Sequence, residues 1–155
     1  MAGRIQAELK QTRPIGSLEE EAYLNVLRTS NALGQGIADL LRAHDLTSAQ
    51  YNVLRILRGA GEDGLTASDI AGRMISRDPD VTRLVDRLEK RGLVDRWRCS
   101  HDRRVVWTRL SQAGRELIDP LDEPLDALHR RLLSHMPPEK LQTLISLLEE
   151  ARDGA

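Results

Sequence analysis

Cysteine is almost missing from this chain. Of 155 residues only Cys99 carries a thiol, so no disulfide can form within it, and the sequence suits a reducing compartment. Phenylalanine is absent, and two Trp and two Tyr make up the whole aromatic complement. Few aromatics and abundant Leu favour helix packed on helix over a sheet-rich core. No apolar run approaches a membrane span, and the N-terminus lacks the basic-then-apolar order of a signal peptide; the expected location is the cytoplasm. The histidines, His44, His101, His129 and His135, do not stand at metal-ligand spacing with Cys or acids. Gly59, Gly61 and Gly64 lack the Gly-Lys-Ser/Thr that completes a phosphate loop. His101 and Asp102 make a tempting acid–base pair, but on a polar tip where no pocket would exclude water. The sequence therefore offers no catalytic residue, no metal ligand set and no cofactor site, and an enzyme is the weakest reading.

A net excess of either charge is also missing, since the formal charge is −1. The distribution is uneven. Between Arg73 and Arg109 there are eleven Lys/Arg against six Asp/Glu, while the remainder holds twelve against eighteen. A basic module on an acidic body produces a directional field suited to a polyanion. The length fits one domain, or one small domain with an oligomerisation arm.

Residues 1–17 are polar, broken by Pro14 and Gly16, and read as a tail or strap. Ser17 with Glu19 and Glu20 marks a helix start, and apolar residues from Ala22 to Leu41 carry that helix to about Ala43. Thr47 or Ser48 caps the next helix, and Thr66 or Ser68 a short third one. Asp78 is a cap for a helix with Pro79 at its first position, running to Arg91 and stopping at Gly92. Residues 93–98 and 105–110 alternate as strands. Ser111 opens a long helix, interrupted by Pro120 and Pro124, and a final helix spans Glu139–Arg152. The fold class is mainly α with a small β-wing: a winged helix-turn-helix flanked by N- and C-terminal helices.

The helix from Pro79 carries Val81, Leu84, Val85 and Leu88 on one stripe. Its other side shows Thr82, Arg83, Asp86, Arg87 and Lys90. A short helix with a basic outer face fits the major groove of double-stranded DNA, and Arg83, one turn in, is placed to reach a base edge. The plainer reading is a solvated helix with Asp86 and Lys90 as an i,i+4 pair. The following tip, Ser100 to Arg104, brings Arg103 and Arg104 to a hairpin end suited to the minor groove. Asp102 is expected to pair with Arg104 and aim it. A winged helix that docks other proteins without touching DNA is the alternative; the outward arginines disfavour it.

With these segments together, the chain resembles the MarR family of bacterial transcriptional regulators. The resemblance rests on LTSAQYNVLRIL (46–57), DPDVTRLVDRLEKRGLV (78–94) and DRRVVWTRLSQAG (102–114), the last with an Asp-x-Arg wing signature at Asp102-Arg103-Arg104. It covers about Leu18 to Arg152. It implies a homodimer made by the terminal helices, with residues 46–110 as the DNA lobe and 18–45 and 111–155 as dimerisation helices within one domain, 18–155. It implies binding to a pseudo-palindromic operator as a repressor, with Pro79, Thr82 and Arg83 facing the major groove and Arg104 the minor groove. It further implies release by a small aromatic or anionic effector, for which Tyr23, Arg28, His44 and Tyr51 are the candidate lining residues. The plainer reading of these four is core and salt bridge. The residues themselves support the dimer: Leu117, Leu121, Leu125, Leu128 and Leu132, then Leu141, Leu144 and Leu148, form a stripe a small chain would leave exposed.

Overall fold

The computed structural model describes residues 3–77 and 80–155, and the chain divides after Ile118 into two compact units. Helix starts follow local hydrogen bonding, because the first turn has N–H groups without intrahelical acceptors. Ser17 accepts from the Glu20 N–H at 3.1 Å and opens α2 (Leu18–Arg42). Its first turn holds Glu19, Glu20 and Glu21, where the helix dipole favours acids. Thr47 opens α3 (Ser48–Ala60) in a reciprocal box with Gln50. Thr66 and Asp69 form the same box at the start of α4 (Ala67–Arg73).

Asp80 opens α5 (Val81–Lys90), its side chain accepting from the Arg83 N–H at 3.0 Å. The sequence puts the cap at Asp78 and Pro79 at the first position. Both lie outside the described residues, and the helix starts at Val81. The carboxylate of Asp80 reaches an N–H of the first turn and so caps the helix. The helix ends as expected: Gly92 adopts φ +71°, which a side chain would resist.

Three antiparallel strands follow the order β1-β3-β2, with β1 at Leu65–Thr66, β2 at Val94–Arg98 and β3 at Val106–Leu110. β1 is too short to show periodicity in sequence. Pairing sets Val94 opposite Leu110 and Arg96 opposite Thr108, while Trp97 faces Trp107. Because side chains alternate, Val94, Arg96, Thr108 and Leu110 share one face and both Trp the other. The core of this unit includes Leu41, Leu54, Leu57, Ile70, Val85, Leu88 and Val94. Full burial of each large apolar side chain stabilises by roughly 1.5–3 kcal/mol.

Two elements depart from the sequence reading. Within residues 1–17 the chain forms a short helix, α1 (Arg4–Glu8), with Ile5 buried and Glu8 near Arg28 of α2 at 3.8 Å. The helix after Ser111 is short, α6 (Gln112–Ile118), and belongs to the winged unit. The Ser111 hydroxyl donates to the Gly92 carbonyl at 2.6 Å and accepts from the Gly114 N–H at 3.0 Å. A Cβ at Gly114 would stand 2.2 Å from the Leu93 oxygen, so α6 is seated where only glycine fits.

The second unit holds a 3-10 turn (Asp119–Leu121), α7 (Asp122–Leu133) and α8 (Pro138–Asp153). Leu121, Leu125 and Leu128 are buried. α8 buries no residue, and Ile145, Leu147 and Leu148 are exposed. In the first unit α2 likewise exposes Leu18, Tyr23, Val26 and Leu27.

Candidate nucleic-acid interface

The helical period of α5 decides which side chains point outward. Val81, Leu84, Val85 and Leu88 are buried, which leaves Thr82, Arg83 and Arg87 exposed. Arg83 is 71% exposed and its Nε lies 3.1 Å from Asp80 Oδ2. Asp86 does not engage Lys90, as an i,i+4 reading expects. It pairs with Arg96 of β2 at 2.7 Å. Glu89 accepts from Arg96 Nε at 2.9 Å and also from Nη2. The strand returns beside the helix and offers a guanidinium fork, which suits two carboxylates better than one flexible ammonium does. The Glu89 bond, and next the Asp86 bond, hold the Arg96 guanidinium above its ordinary pKa, against the opposing effect of burial. Arg96 thus braces the wing against α5. Sequence reasoning missed it; the available signal was its place two residues after Val94, on the inward face of the strand.

The hairpin tip is held by main-chain bonds. Cys99 N–H donates to the Val105 carbonyl at 2.9 Å, and Val105 N–H to the Asp102 carbonyl at 3.0 Å. Arg98 Nη1 donates to the Arg103 carbonyl at 2.8 Å. Asp102 does engage Arg104, but not through the guanidinium. Its Oδ1 accepts from the Arg104 backbone N–H at 3.0 Å. Two-residue spacing in a turn brings a short carboxylate back onto the main chain, so the local bond wins over the side-chain pair. Asp102 fixes the backbone from which Arg104 extends. Half-buried Cys99 lies at the same corner, and the N–H groups of Asp102 and then His101 hold its thiol below the ordinary range.

Several arginines of the basic module have internal duties. Arg91 donates to the Asp45 carbonyl at 2.6 Å, and Arg109 pairs with Glu62 at 3.1 Å while lying over Trp97. Among the described residues no carboxylate pairs with Arg87, Arg103 or Arg104, and all three are exposed. A concave space of about 470 Å³ lies between the start of α4, α5 and the sheet, lined by Thr66, Ser68, Thr82, Arg96, Arg104 and Thr108. Thr82 and Arg104, drawn from the helix and the wing, thereby share one face.

The four effector candidates are not brought together within the chain. Arg28 lines an open space of about 590 Å³ with Arg4, Glu8 and Gln35. Tyr23 and Arg28 are five residues apart on α2, hence about 140° apart around its axis. His44 is exposed beyond the end of α2, roughly 30 Å along the axis from Tyr23, and Tyr51 is half-buried on α3. Among the described residues no group of three His, Cys, Asp or Glu stands ready for a metal, and no helix is long and apolar enough to cross a membrane.

Comparison with known proteins fits this geometry. A family model for the MarR family matches residues 46–106, from α3 to the start of β3. The homoprotocatechuate degradative operon repressor of Escherichia coli is 26% identical over 133 residues, which covers 86% of this chain and 88% of that protein. A MarR transcription factor from Planctomyces limnophilus is 40% identical with a TM-score of 0.68, covering 87% of this chain and 98% of the other. The S. aureus MepR–DNA complex is 25% identical with a TM-score of 0.77, covering 86% and 97% of the two chains. With a winged unit of this topology, a matching family model over the DNA lobe and a relative 40% identical along nearly its whole length, the chain belongs to the MarR family of transcriptional regulators.

Proposed function

We propose that this chain is a cytoplasmic, homodimeric repressor that binds a pseudo-palindromic DNA operator through α5 and the wing. One observation carries the reading. Thr82 on α5 and Arg104 on the wing line the same concave face, and among the described residues no carboxylate pairs with Arg87, Arg103 or Arg104. Arg83 and Thr82 then address base edges and phosphates in the major groove, and Arg104 enters the minor groove. Arg87 and Arg103 add phosphate contacts. Asp102 steadies the wing backbone under Arg104. A winged helix used only for protein docking has no need of these outward cations.

The dimer is proposed from α2 and α8, which leave large apolar side chains exposed. Residues 46–110 serve as the DNA lobe, and 18–45 with 111–155 supply the contacts between chains, α6 excepted. A small aromatic or anionic effector would have to bind between elements of two chains, since Tyr23, Arg28, His44 and Tyr51 do not converge in one. The test is selection from random duplex DNA. Enrichment of an inverted repeat, with half-sites about one turn (roughly 10 bp) apart, supports the reading. No enriched sequence would return the winged unit to protein docking.

A further inference from the structure

We propose that Asp80 is a positioning residue for sequence readout, which locks the Arg83 guanidinium so that it prefers guanine at one position of each half-site. The inference rests on α5 being the helix that reads the groove. It starts from one carboxylate doing two things. Asp80 Oδ1 accepts from the Arg83 main-chain N–H at 3.0 Å, and Asp80 Oδ2 sits 3.1 Å from Arg83 Nε. The first bond anchors the carboxylate to the start of α5. The second contact, an ion pair, therefore keeps the guanidinium beside a carboxylate that does not move freely.

An exposed i,i+3 ion pair contributes little to stability, so folding does not account for this arrangement. The chemistry of the guanidinium does. It has five N–H donors in a fixed plane, and Asp80 occupies the Nε edge. With the Nε edge so occupied, the Nη1 and Nη2 groups are the donors left for DNA. Two parallel donors at that end match the O6 and N7 acceptors of guanine. They match adenine poorly, because its N6 amine is itself a donor. The lock also removes rotamer freedom from Arg83 before docking, and the negative charge beside it weakens attachment to phosphates at random sites. Both effects widen the gap between operator and random DNA. The sequence by itself suggests Asp80 as nothing more than one of six acids in the basic module.

The near-isosteric Asp80→Asn variant separates the lock from the cap. An Asn side chain caps a helix as well as Asp does. Its amide oxygen can keep the bond to the Arg83 N–H, but its Nδ2 is a donor and cannot accept from Nε. Asp80→Ser is the second variant, since Ser also caps but is too short to reach Nε. Melting curves establish that each is folded. Each is then measured, as the full dimer, against the selected operator, against operators with the guanine replaced, and against random duplex.

The expected result is a loss of about two- to tenfold in the operator-to-substituted ratio, the cost of ordering a freed side chain on binding. Affinity for random duplex should stay the same or rise. In an Arg83→Ala background the Asp80 change should do nothing further to the ratio, since it acts through Arg83. Three outcomes would overturn the proposal. A ratio that is kept while every duplex binds tighter would make Asp80 a like-charged neighbour of DNA only. Unchanged affinities throughout would make it a cap only. If wild-type protein itself shows no base preference, the groove-reading role of α5 fails and the lock falls with it, a result distinguishable because it needs no variant.

Discussion

In the winged unit α5 buries Val81, Leu84, Val85 and Leu88 and turns arginines outward, whereas α8 in the second unit buries nothing and leaves Ile145, Leu147 and Leu148 exposed. Both helices have apolar residues at helical spacing. What differs is the supply of covering surface. Around α5 stand α3, α4 and the sheet, each offering an apolar face within one compact body. α8, in the second unit, buries no residue. The lesson is that the same pattern marks a completed core in one place and an uncovered apolar face in the other. The two surfaces also suit different partners: outward cations a polyanion, outward leucines a second apolar surface.

The strongest way to break this comparison is to delete residues 137–155. If α8 is interface, light scattering should show monomer or insoluble chain. A soluble, intact dimer would remove α8 from the interface. Next in size is salt. Operator affinity should fall by about three or more decades between 50 and 200 mM salt if six or more phosphates are contacted. A flat log–log slope would mean that the outward arginines do not meet DNA.

Single leucines sharpen the contrast. Leu88→Ala, at a residue with no exposure, should cost about 2–5 kcal/mol in denaturant unfolding. Leu147→Ala, 57% exposed, should cost less than about 0.5 kcal/mol at concentrations where the chain is monomeric. Equal costs would show that α8 is covered within its own chain. A smaller effect is expected at the wing. Asp102→Ala frees the backbone under Arg104 and should weaken operator binding by about 0.5–1.5 kcal/mol, although it removes a negative charge near DNA. Combined with Arg104→Ala it should add little. Tighter binding by Asp102→Ala would end that role.

The least effect concerns pH. Hydrogen bonds from the Thr66 hydroxyl and then its N–H hold the Asp69 carboxyl below its ordinary pKa. A depressed folded-state pKa contributes stability above the unfolded value and loses it as pH falls through the folded one. The α4 start should therefore be insensitive to pH from neutral down to about 5, weakening only below the ordinary carboxylate range. Amide exchange at residues 67–70 across a pH series, corrected for intrinsic rates, would show it. Lost protection already at pH 6 would contradict it.

Sequence by itself determined what depends on near neighbours. The Ser17 and Thr47 caps, the stop at Gly92 and the buried stripe of α5 all arise from bonds or contacts between residues about three or four apart, so their positions were legible. Family membership was legible too, because three segments keep a fixed spacing along the chain. Tertiary structure alone decided what depends on where the chain returns. It drew Asp86 from Lys90 to Arg96, paired the two residues of β1 with β3, and seated α6 against Leu93 through Gly114. It also left Tyr23 and His44 near opposite ends of α2, since a helix cannot gather residues separated by several turns. Even the Asp102 bond, only two residues long, went to the Arg104 main chain rather than its side chain, because the conformation of the wing turn fixes which partner lies within reach.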